Sequence, residues 1–158
     1  MSLTVDEPLQ ESRREFCVSA FQLASLIALG GVAACGGGPT SPSDAPSLPT
    51  VSSTTSGRTV AVTIDAGSPL ASVGSAAILQ NSLGSFLLAR TGDTQVTALT
   101  AVCTHEGCTV TGFSNGQYVC PCHGSHFTTS GAVASGPASR SLQQFPSTLT
   151  DNVATFTV

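Results

Sequence analysis

The chain has 158 residues, which is enough for one domain of ordinary size. Charged side chains make up only 9% of it, lysine is absent, and the formal net charge is −4. Such a chain offers no basic surface for a nucleic acid, so we exclude nucleic-acid partners. A polybasic membrane-binding surface is not expected either, because only Arg58, Arg90 and Arg140 lie beyond the first 34 residues.

Residues 1–34 are predicted to be an export signal. Arg13 and Arg14 precede an apolar run of 19 residues from Phe16 to Ala34, which leads directly into Cys35. The start resembles a twin-arginine signal, and Val32-Ala33-Ala34-Cys35-Gly36 resembles the lipobox at which a bacterial lipoprotein is cleaved and acylated on its cysteine. An uncleaved transmembrane anchor is the alternative, since the run is near the lower limit for spanning a bilayer.

Residues 35–57 are predicted to be a flexible tether, because they are dominated by Gly, Ser, Thr and Pro and offer little to bury in a core. Treated as a random coil, this segment has a root-mean-square reach of roughly 25 Å. That reach would let a globular head sample a membrane surface. A passive spacer is the alternative.

Residues 58–158 are predicted to be the folded domain, made of short strands. Val60, Val62 and Ile64 alternate with smaller or polar residues, as in a half-buried strand. The segments 86–91 and 94–102 predict two strands around Gly92-Asp93. No segment has a helical period, so we expect an all-β, mainly antiparallel domain.

Two further turns are predicted downstream. Asn115-Gly116 separates the segments 109–113 and 117–120 and is a strong hairpin signal, because both residues tolerate positive φ. Asp151-Asn152 precedes a predicted last strand at 154–158. We expect the first of these hairpins to belong to a small subdomain at the tip of the domain.

Two short segments supply metal-binding chemistry, Cys103-Thr104-His105-Glu106-Gly107-Cys108 and Cys120-Pro121-Cys122-His123-Gly124-Ser125. Each offers a cysteine and a histidine two or three residues apart, together with a second cysteine. Thiolates suit iron and sulfide, and replacing two of four thiolates by neutral imidazoles removes negative charge from one iron and eases reduction. The pattern therefore predicts a two-iron cluster that carries one electron.

The cysteine count fits this interpretation. Cys17 and Cys35 lie in the N-terminal apolar segment, so four of the six cysteines remain in the two metal-binding segments. A cluster that takes two of them leaves one pair to oxidise. A structural zinc site is the alternative, because two cysteines and two histidines also suit zinc. Zinc fingers usually pair like with like, however, whereas each segment here supplies one ligand of each type.

The two segments resemble the signature of the Rieske iron-sulfur family, C-x-H-x-G-C followed after a short hairpin by C-P-C-H-G-S. The resemblance extends over about residues 58–158 and implies one [2Fe-2S] cluster per chain. The implied ligands are Cys103 and Cys120 on one iron and His105 and His123 on the other, and the implied disulfide joins Cys108 to Cys122.

The resemblance also implies residues that tune the reduction potential. Gly107 and Gly124 let backbone amides approach the sulfides, and such hydrogen bonds favour the reduced cluster. Ser125 matches the family serine whose hydroxyl bonds a bridging sulfide, whereas Phe127 replaces a tyrosine that bonds a ligand thiolate in high-potential members. With one hydroxyl present and one missing, we expect a positive but intermediate potential. Gly136-Pro137-Ala138 is similar to the family's third loop, which covers the cluster.

Glu106 departs from the quinol-oxidising members, which usually carry an apolar residue there. A carboxylate would be costly to bury in a quinone pocket, so quinol oxidation is placed in doubt. An ordinary exposed loop residue is the alternative. An aromatic-ring oxygenase is disfavoured, because only His126 remains for a second iron site once His105 and His123 bind the cluster.

We therefore predict an electron-transfer component of an oxidoreductase and not a self-contained enzyme. It would be a membrane-tethered carrier on the periplasmic face, exported by the twin-arginine route. Its partners would be a redox protein donor and acceptor, such as a cytochrome or a quinol-oxidising membrane complex. The alternatives are an iron-sulfur subunit of a larger complex, of the quinol-cytochrome c reductase or molybdenum oxidase type, and a non-redox metal-stabilised binding module.

Overall fold

The computed structural model describes residues 45–158, which form thirteen β-strands and no helix. In chain order the strands are β1 (Thr50–Val51), β2 (Thr54–Ser56), β3 (Thr59–Thr63), β4 (Ala76–Asn81), β5 (Gly84–Gly92), β6 (Gln95–Thr100), β7 (Gly112–Ser114), β8 (Gln117–Val119), β9 (His126–Thr128), β10 (Val133–Ser135), β11 (Gln144–Phe145), β12 (Ser147–Thr150) and β13 (Val153–Thr157). The predicted all-β fold is confirmed. Over this range no helix could cross a membrane. The predicted signal, with Arg13, Arg14 and Cys35, lies outside the described residues.

The strands form three sheets. The five-stranded sheet has the order β1-β4-β5-β6-β11, the terminal sheet has the order β12-β13-β3-β2, and the loop sheet has the order β10-β9-β8-β7. Only β1 and β4 pair in parallel, and every other pair is antiparallel. Most antiparallel pairs join consecutive strands through short connections, because a tight turn can join only antiparallel neighbours, whereas β6 pairs with β11 and β3 with β13 across longer stretches of chain.

The five-stranded sheet is covered on both faces. Its strand β5 contains four consecutive buried residues, 86–89, as expected for a strand with apolar surroundings on either side. Leu87 and Leu88 are both fully buried but belong to different apolar clusters, because successive side chains point to opposite faces. The cluster around Leu87 includes residues of the loop sheet, and the cluster around Leu88 includes residues of the terminal sheet.

An aromatic group links the five-stranded sheet to the terminal sheet. The ring of Phe86 lies edge-on to Phe145 and Phe156, with centroid separations of 5.5 and 5.1 Å. In β3 the buried residues are Val60 and Val62, in agreement with the predicted alternation. Burial of these apolar side chains is the main stabilising contribution to this half of the domain.

The predicted turns are present. Asn115 and Gly116 have φ values of 51° and 74° and connect β7 to β8. Asp151 and Asn152 have φ values of 49° and 60° and connect β12 to β13. Both pairs adopt the left-handed backbone that a two-residue hairpin turn requires.

Residues 45–57, which the composition assigned to the tether, are part of the fold. They include β1 and β2, and the side chains of Leu48 and Val51 are buried. The backbone of Leu48 donates to Thr111 next to the loop sheet, while Pro49 accepts from Ile78 of the five-stranded sheet. Two apolar side chains and paired backbone groups were enough to order a segment whose average composition is polar.

Candidate metal centre

The predicted ligands lie on two loops that are closed by the same pair of backbone hydrogen bonds. In the first loop, Cys103–Cys108, the N–H of Cys103 donates to the last residue's carbonyl at 2.8 Å, and the N–H of Gly107 donates back to Cys103 at 2.9 Å. In the second loop, Cys120–Ser125, the corresponding distances are 2.9 and 3.1 Å, with Gly124 as the second donor. Gly107 and Gly124 have φ values of 77° and 68°, which glycine adopts without steric cost.

A disulfide joins the two loops. Cys108 and Cys122 are bonded with an S–S distance of 2.07 Å, across 14 positions of sequence. This is the pairing that the resemblance implied. Cys103 and Cys120 remain as free thiols.

The two free thiols face each other inside the protein. Cys103 and Cys120 are 2% and 1% exposed, and their side chains are close enough to interact. Burial raises the pKa of the Cys120 thiol, while backbone N–H groups of Cys122 and His123 directed at its sulfur oppose that rise. The site therefore already points two amide donors at a sulfur atom, which stabilises negative charge there.

His105 and His123 lie side by side at the surface above these thiols. Their ring centroids are 4.9 Å apart and their planes are nearly perpendicular, at 86°. The side chain of His105 is 27% exposed and that of His123 is 46% exposed. Nδ1 of His105 is buried and has no hydrogen-bond partner among residues 45–158. All four predicted ligand residues thus lie on the two paired loops.

Glu106 stands next to both imidazoles. One carboxylate oxygen is 4.0 Å from Nε2 of His105, the other is 3.7 Å from Nδ1 of His123, and the Glu106 side chain is 61% exposed. The ligating atoms of these three side chains all lie within 4.8 Å of one another. The outer surface of the site is therefore polar and carries a negative charge.

The third loop packs on the second. A side chain at Gly136, whose φ is 91°, would place a Cβ only 2.5 Å from the carbonyl oxygen of Gly124. Ser125 is fully buried, and its hydroxyl oxygen accepts from the N–H of Ala138 at 3.1 Å. The predicted third loop therefore contacts the second loop directly, and Ser125 retains its own proton for donation elsewhere.

The potential-tuning positions differ in their surroundings. Phe127 is fully buried on β9 and offers no polar atom. His126 is partly buried, because it begins β9 and pairs with Val119. Sequence reasoning missed Tyr118, which is fully buried and whose hydroxyl has no partner in the described part of the chain. Its position two residues before Cys120, in a strand, was the available signal.

Comparison with known proteins decides the family. The sequence model of the Rieske [2Fe-2S] domain matches residues 56–146, more than half of the chain. The chain belongs to the Rieske [2Fe-2S] family. Its cofactor is a [2Fe-2S] cluster, and its function is one-electron transfer through that cluster.

Individual relatives cover less of the chain. The cytochrome b6-f complex iron-sulfur subunit of Cyanothece sp. is 45% identical over 60 residues, which are 37% of this chain and 34% of that protein. A putative respiratory nitrate reductase Rieske subunit of Haloferax mediterranei is 49% identical over 55 residues, 34% of this chain and 25% of that protein. The chain thus spans about a third or less of the curated relatives it matches.

A solved structure adds a membrane-associated relative. The plasma membrane Rieske protein of Synechocystis PCC 6803 is 32% identical, with a TM-score of 0.46, over 51% of this chain and 84% of that one.

The residues present fit the cluster. A buried imidazole nitrogen without a partner, on His105, is a donor atom that a metal ion would satisfy. Two adjacent buried thiols supply the soft ligands that iron and sulfide require. When bound, the cluster accepts and releases one electron. The protein's part is to hold the loops with the disulfide, direct amide N–H groups at sulfur and cover the second loop with the third.

Proposed function

We propose that this Rieske protein is a membrane-tethered one-electron carrier that exchanges electrons with redox proteins through the face formed by His105, Glu106 and His123. The observation that carries the proposal is the carboxylate of Glu106, which is exposed and lies within 4.0 Å of both imidazoles. Any partner that approaches the cluster by the shortest path meets this charge.

The ligand assignment supports the proposed path. Cys103 and Cys120 would bind the buried iron, and His105 and His123 would bind the iron nearer the surface. The thiols are almost fully buried whereas the imidazoles are partly exposed, so electrons would enter and leave on the histidine side. Gly107 and Gly124 would tune the potential through the backbone amides of their loops, together with Ser125.

Glu106 favours a protein partner over a quinol. Docking into an apolar quinone pocket would bury the carboxylate without a partner, which costs several kcal/mol. A cationic protein surface would instead pair with it and be attracted at long range. A quinol-oxidising membrane complex is therefore the less favoured donor, and a cytochrome with a basic face is the preferred partner.

The N-terminal region supports export and anchoring. Arg13 and Arg14 fit a twin-arginine signal, and this route suits a protein that folds around its cluster before transport. Cys35 would be the site of cleavage and lipidation, which would place the folded part at the periplasmic face of the membrane. Retention of the apolar run as a transmembrane anchor is the alternative.

A second candidate function is that of an iron-sulfur subunit in a larger oxidoreductase. Relatives named as subunits of cytochrome b6-f and putative nitrate reductase complexes favour it. A non-redox, metal-stabilised module is the remaining alternative, and a reversible redox spectrum of the purified protein would exclude it. Native gel electrophoresis of membranes solubilised in mild detergent distinguishes the carrier from the complex subunit. A carrier migrates alone on a native gel, whereas a subunit comigrates with haem or molybdenum in fixed stoichiometry.

Stopped-flow oxidation of the reduced protein tests the partner face. With tris(phenanthroline)cobalt(III), a cationic oxidant, the rate should fall as salt is added, and with ferricyanide, an anion, it should rise. Glu106→Gln should weaken both salt dependences. Asp151→Asn, in the turn between β12 and β13, removes the same charge from another sheet and should leave them unchanged. Equal salt dependence in Glu106→Gln and the unmodified protein would contradict the proposal.

A further inference from the structure

Tyr118 carries a polar group that the structure leaves without a partner. Its side chain is fully buried, and its hydroxyl oxygen has no hydrogen-bond partner among residues 45–158. Buried hydroxyls are nearly always paired, because an unpaired one loses its bonds to water without replacement. An orphaned hydroxyl beside a metal centre therefore points to an acceptor that belongs to the working protein.

The strand geometry directs Tyr118 to the same face as the ligand Cys120. Side chains two residues apart in a strand point to one face, and β8 runs straight into Cys120. Tyr118, Cys103 and Cys120 all belong to the same buried apolar cluster, which also contains Phe127.

Tyr118 is also the cross-strand neighbour of Phe127. The two residues face each other in the register of β8 and β9, so their side chains lie on one face of the loop sheet. On the other side, the ring of Phe113 packs against Tyr118 with a centroid separation of 5.2 Å. The phenol is thus fixed between two phenylalanines, one of which occupies the position where other family members carry a hydroxyl.

We propose that the hydroxyl of Tyr118 donates a hydrogen bond to a sulfur atom of the cluster or of its cysteine ligands, and so supplies from β8 the donor that Phe127 lacks on β9. The inference rests on the proposed ligands Cys103 and Cys120. Such a bond stabilises the more negative, reduced state and raises the reduction potential. Tyr118 is then a positioning and tuning residue, and the cluster has two hydroxyl donors when Ser125 is counted.

The phenol is suited to act only as a donor here. No described side chain offers this hydroxyl a partner, and a sulfide or ligand thiolate can only accept a hydrogen bond. A phenol with its proton approaching an anionic sulfur makes a charge-assisted bond, which is stronger than a bond between neutral groups.

The test exploits a property of the composition: Tyr118 is the only tyrosine and the chain has no tryptophan. Growth on 3-fluorotyrosine therefore labels this residue alone, with almost no change in shape. The fluorinated phenol is more acidic and donates more strongly, so the potential of the holoprotein should rise. Tyr118→Phe removes the donor, and the potential should fall. Protein-film voltammetry of the full chain measures both shifts.

Two comparisons keep the result specific. Phe113→Leu disturbs the packing of the Tyr118 ring but keeps the hydroxyl, so it should leave the potential almost unchanged. In the cluster-free protein, Tyr118→Phe should not lower the melting temperature, because the hydroxyl has no partner to lose there. The iron-sulfur stretching bands in resonance Raman spectra should shift in the fluorinated protein, since they respond directly to hydrogen bonds at sulfur.

Opposite shifts for fluorotyrosine and phenylalanine support the proposal. Unchanged potentials in both, with the cluster spectrum intact, would overturn it and assign the hydroxyl to a buried water molecule. A fall in Phe113→Leu as large as that in Tyr118→Phe would also overturn it, because packing would then be the cause. Absence of any Rieske spectrum in the unmodified protein would instead refute the proposed ligand set.

Discussion

The first and second loops share a backbone but differ in where they place their chemistry. Both begin with a buried cysteine, carry a glycine of positive φ at the fifth position and close with the same two hydrogen bonds. The histidine is third in one loop and fourth in the other. The last residue is Cys108 in the first loop, where it forms the disulfide, and Ser125 in the second, where it is buried beneath the third loop.

The two loops therefore share one backbone conformation while placing their cysteines and histidines differently. In both loops a glycine of positive φ occupies the fifth position, and the cysteine predicted to bind iron occupies the first. The remaining positions decide exposure: the first loop presents Glu106 to solvent, whereas the end of the second loop, Gly124-Ser125, packs against Gly136 and Ala138. Ser125, at the buried end of the second loop, should therefore influence the properties of the cluster, and Glu106 should influence contact with partners.

The largest effect is expected from the cysteine that begins each loop. Cys103→Ser and Cys120→Ser should each abolish the cluster, because each cysteine is the first residue of its loop, has a buried thiol and is proposed to bind iron. Iron analysis and electron paramagnetic resonance of the reduced protein measure the loss. Cys35→Ser, outside the described residues, is the control and should retain about two irons. Retention of a normal cluster in either variant would contradict the ligand assignment.

The disulfide between the loops should have the next largest effect. Closing a loop of about 15 residues stabilises a protein by about 3 kcal/mol on a disputed entropic model. Cys108→Ser combined with Cys122→Ser should therefore release the cluster at lower denaturant concentration than is needed to unfold the strands. Visible absorbance and far-ultraviolet circular dichroism, followed in one titration, separate the two events. Coincident transitions at the unmodified protein's midpoint would argue against this role.

Glycine substitutions should distinguish the third loop, which packs on the second, from the first loop. Gly107→Ala should cost about 1 to 2 kcal/mol from its positive φ alone, since a Cβ there meets nothing within 4 Å. Gly136→Ala should cost more, because its Cβ would meet the backbone of Gly124 and Ser125. Gly57→Ala, at φ 59° in open space, is the matched control away from the site. Denaturant midpoints and cluster lifetimes report both quantities, and equal losses at 107 and 136 would contradict the difference.

Sequence reasoning predicted the local turns and the disulfide but not the burial that surrounds them. The hairpin at Asn115-Gly116 and the disulfide partners follow from local turn chemistry and from a specific motif. The folding of residues 45–57 could not be predicted, because it depends on where Leu48 and Val51 find apolar partners in distant strands. The unpaired hydroxyl of Tyr118 depends in the same way on cross-strand register. Local signals are present in the chain, whereas tertiary burial has to be observed.

The smallest effect is expected at the last position of the second loop. In the unmodified protein the Ser125 hydroxyl accepts from the N–H of Ala138, so its own proton is free to donate to a sulfide. Ser125→Ala removes this hydroxyl. A hydrogen bond that favours the reduced cluster by about 1 to 2 kcal/mol corresponds to roughly 40 to 90 mV for one electron, and the potential should fall by that amount.

Phe127→Tyr should move the potential upward, because it adds a donor on β9. Rieske potentials span about −150 to +300 mV, so one hydroxyl shifts the protein within its class without removing it. Voltammetry at neutral pH measures both shifts. A potential that does not change in Ser125→Ala would mean that the hydroxyl only fixes the third loop, and its loss would then appear in cluster lifetime instead.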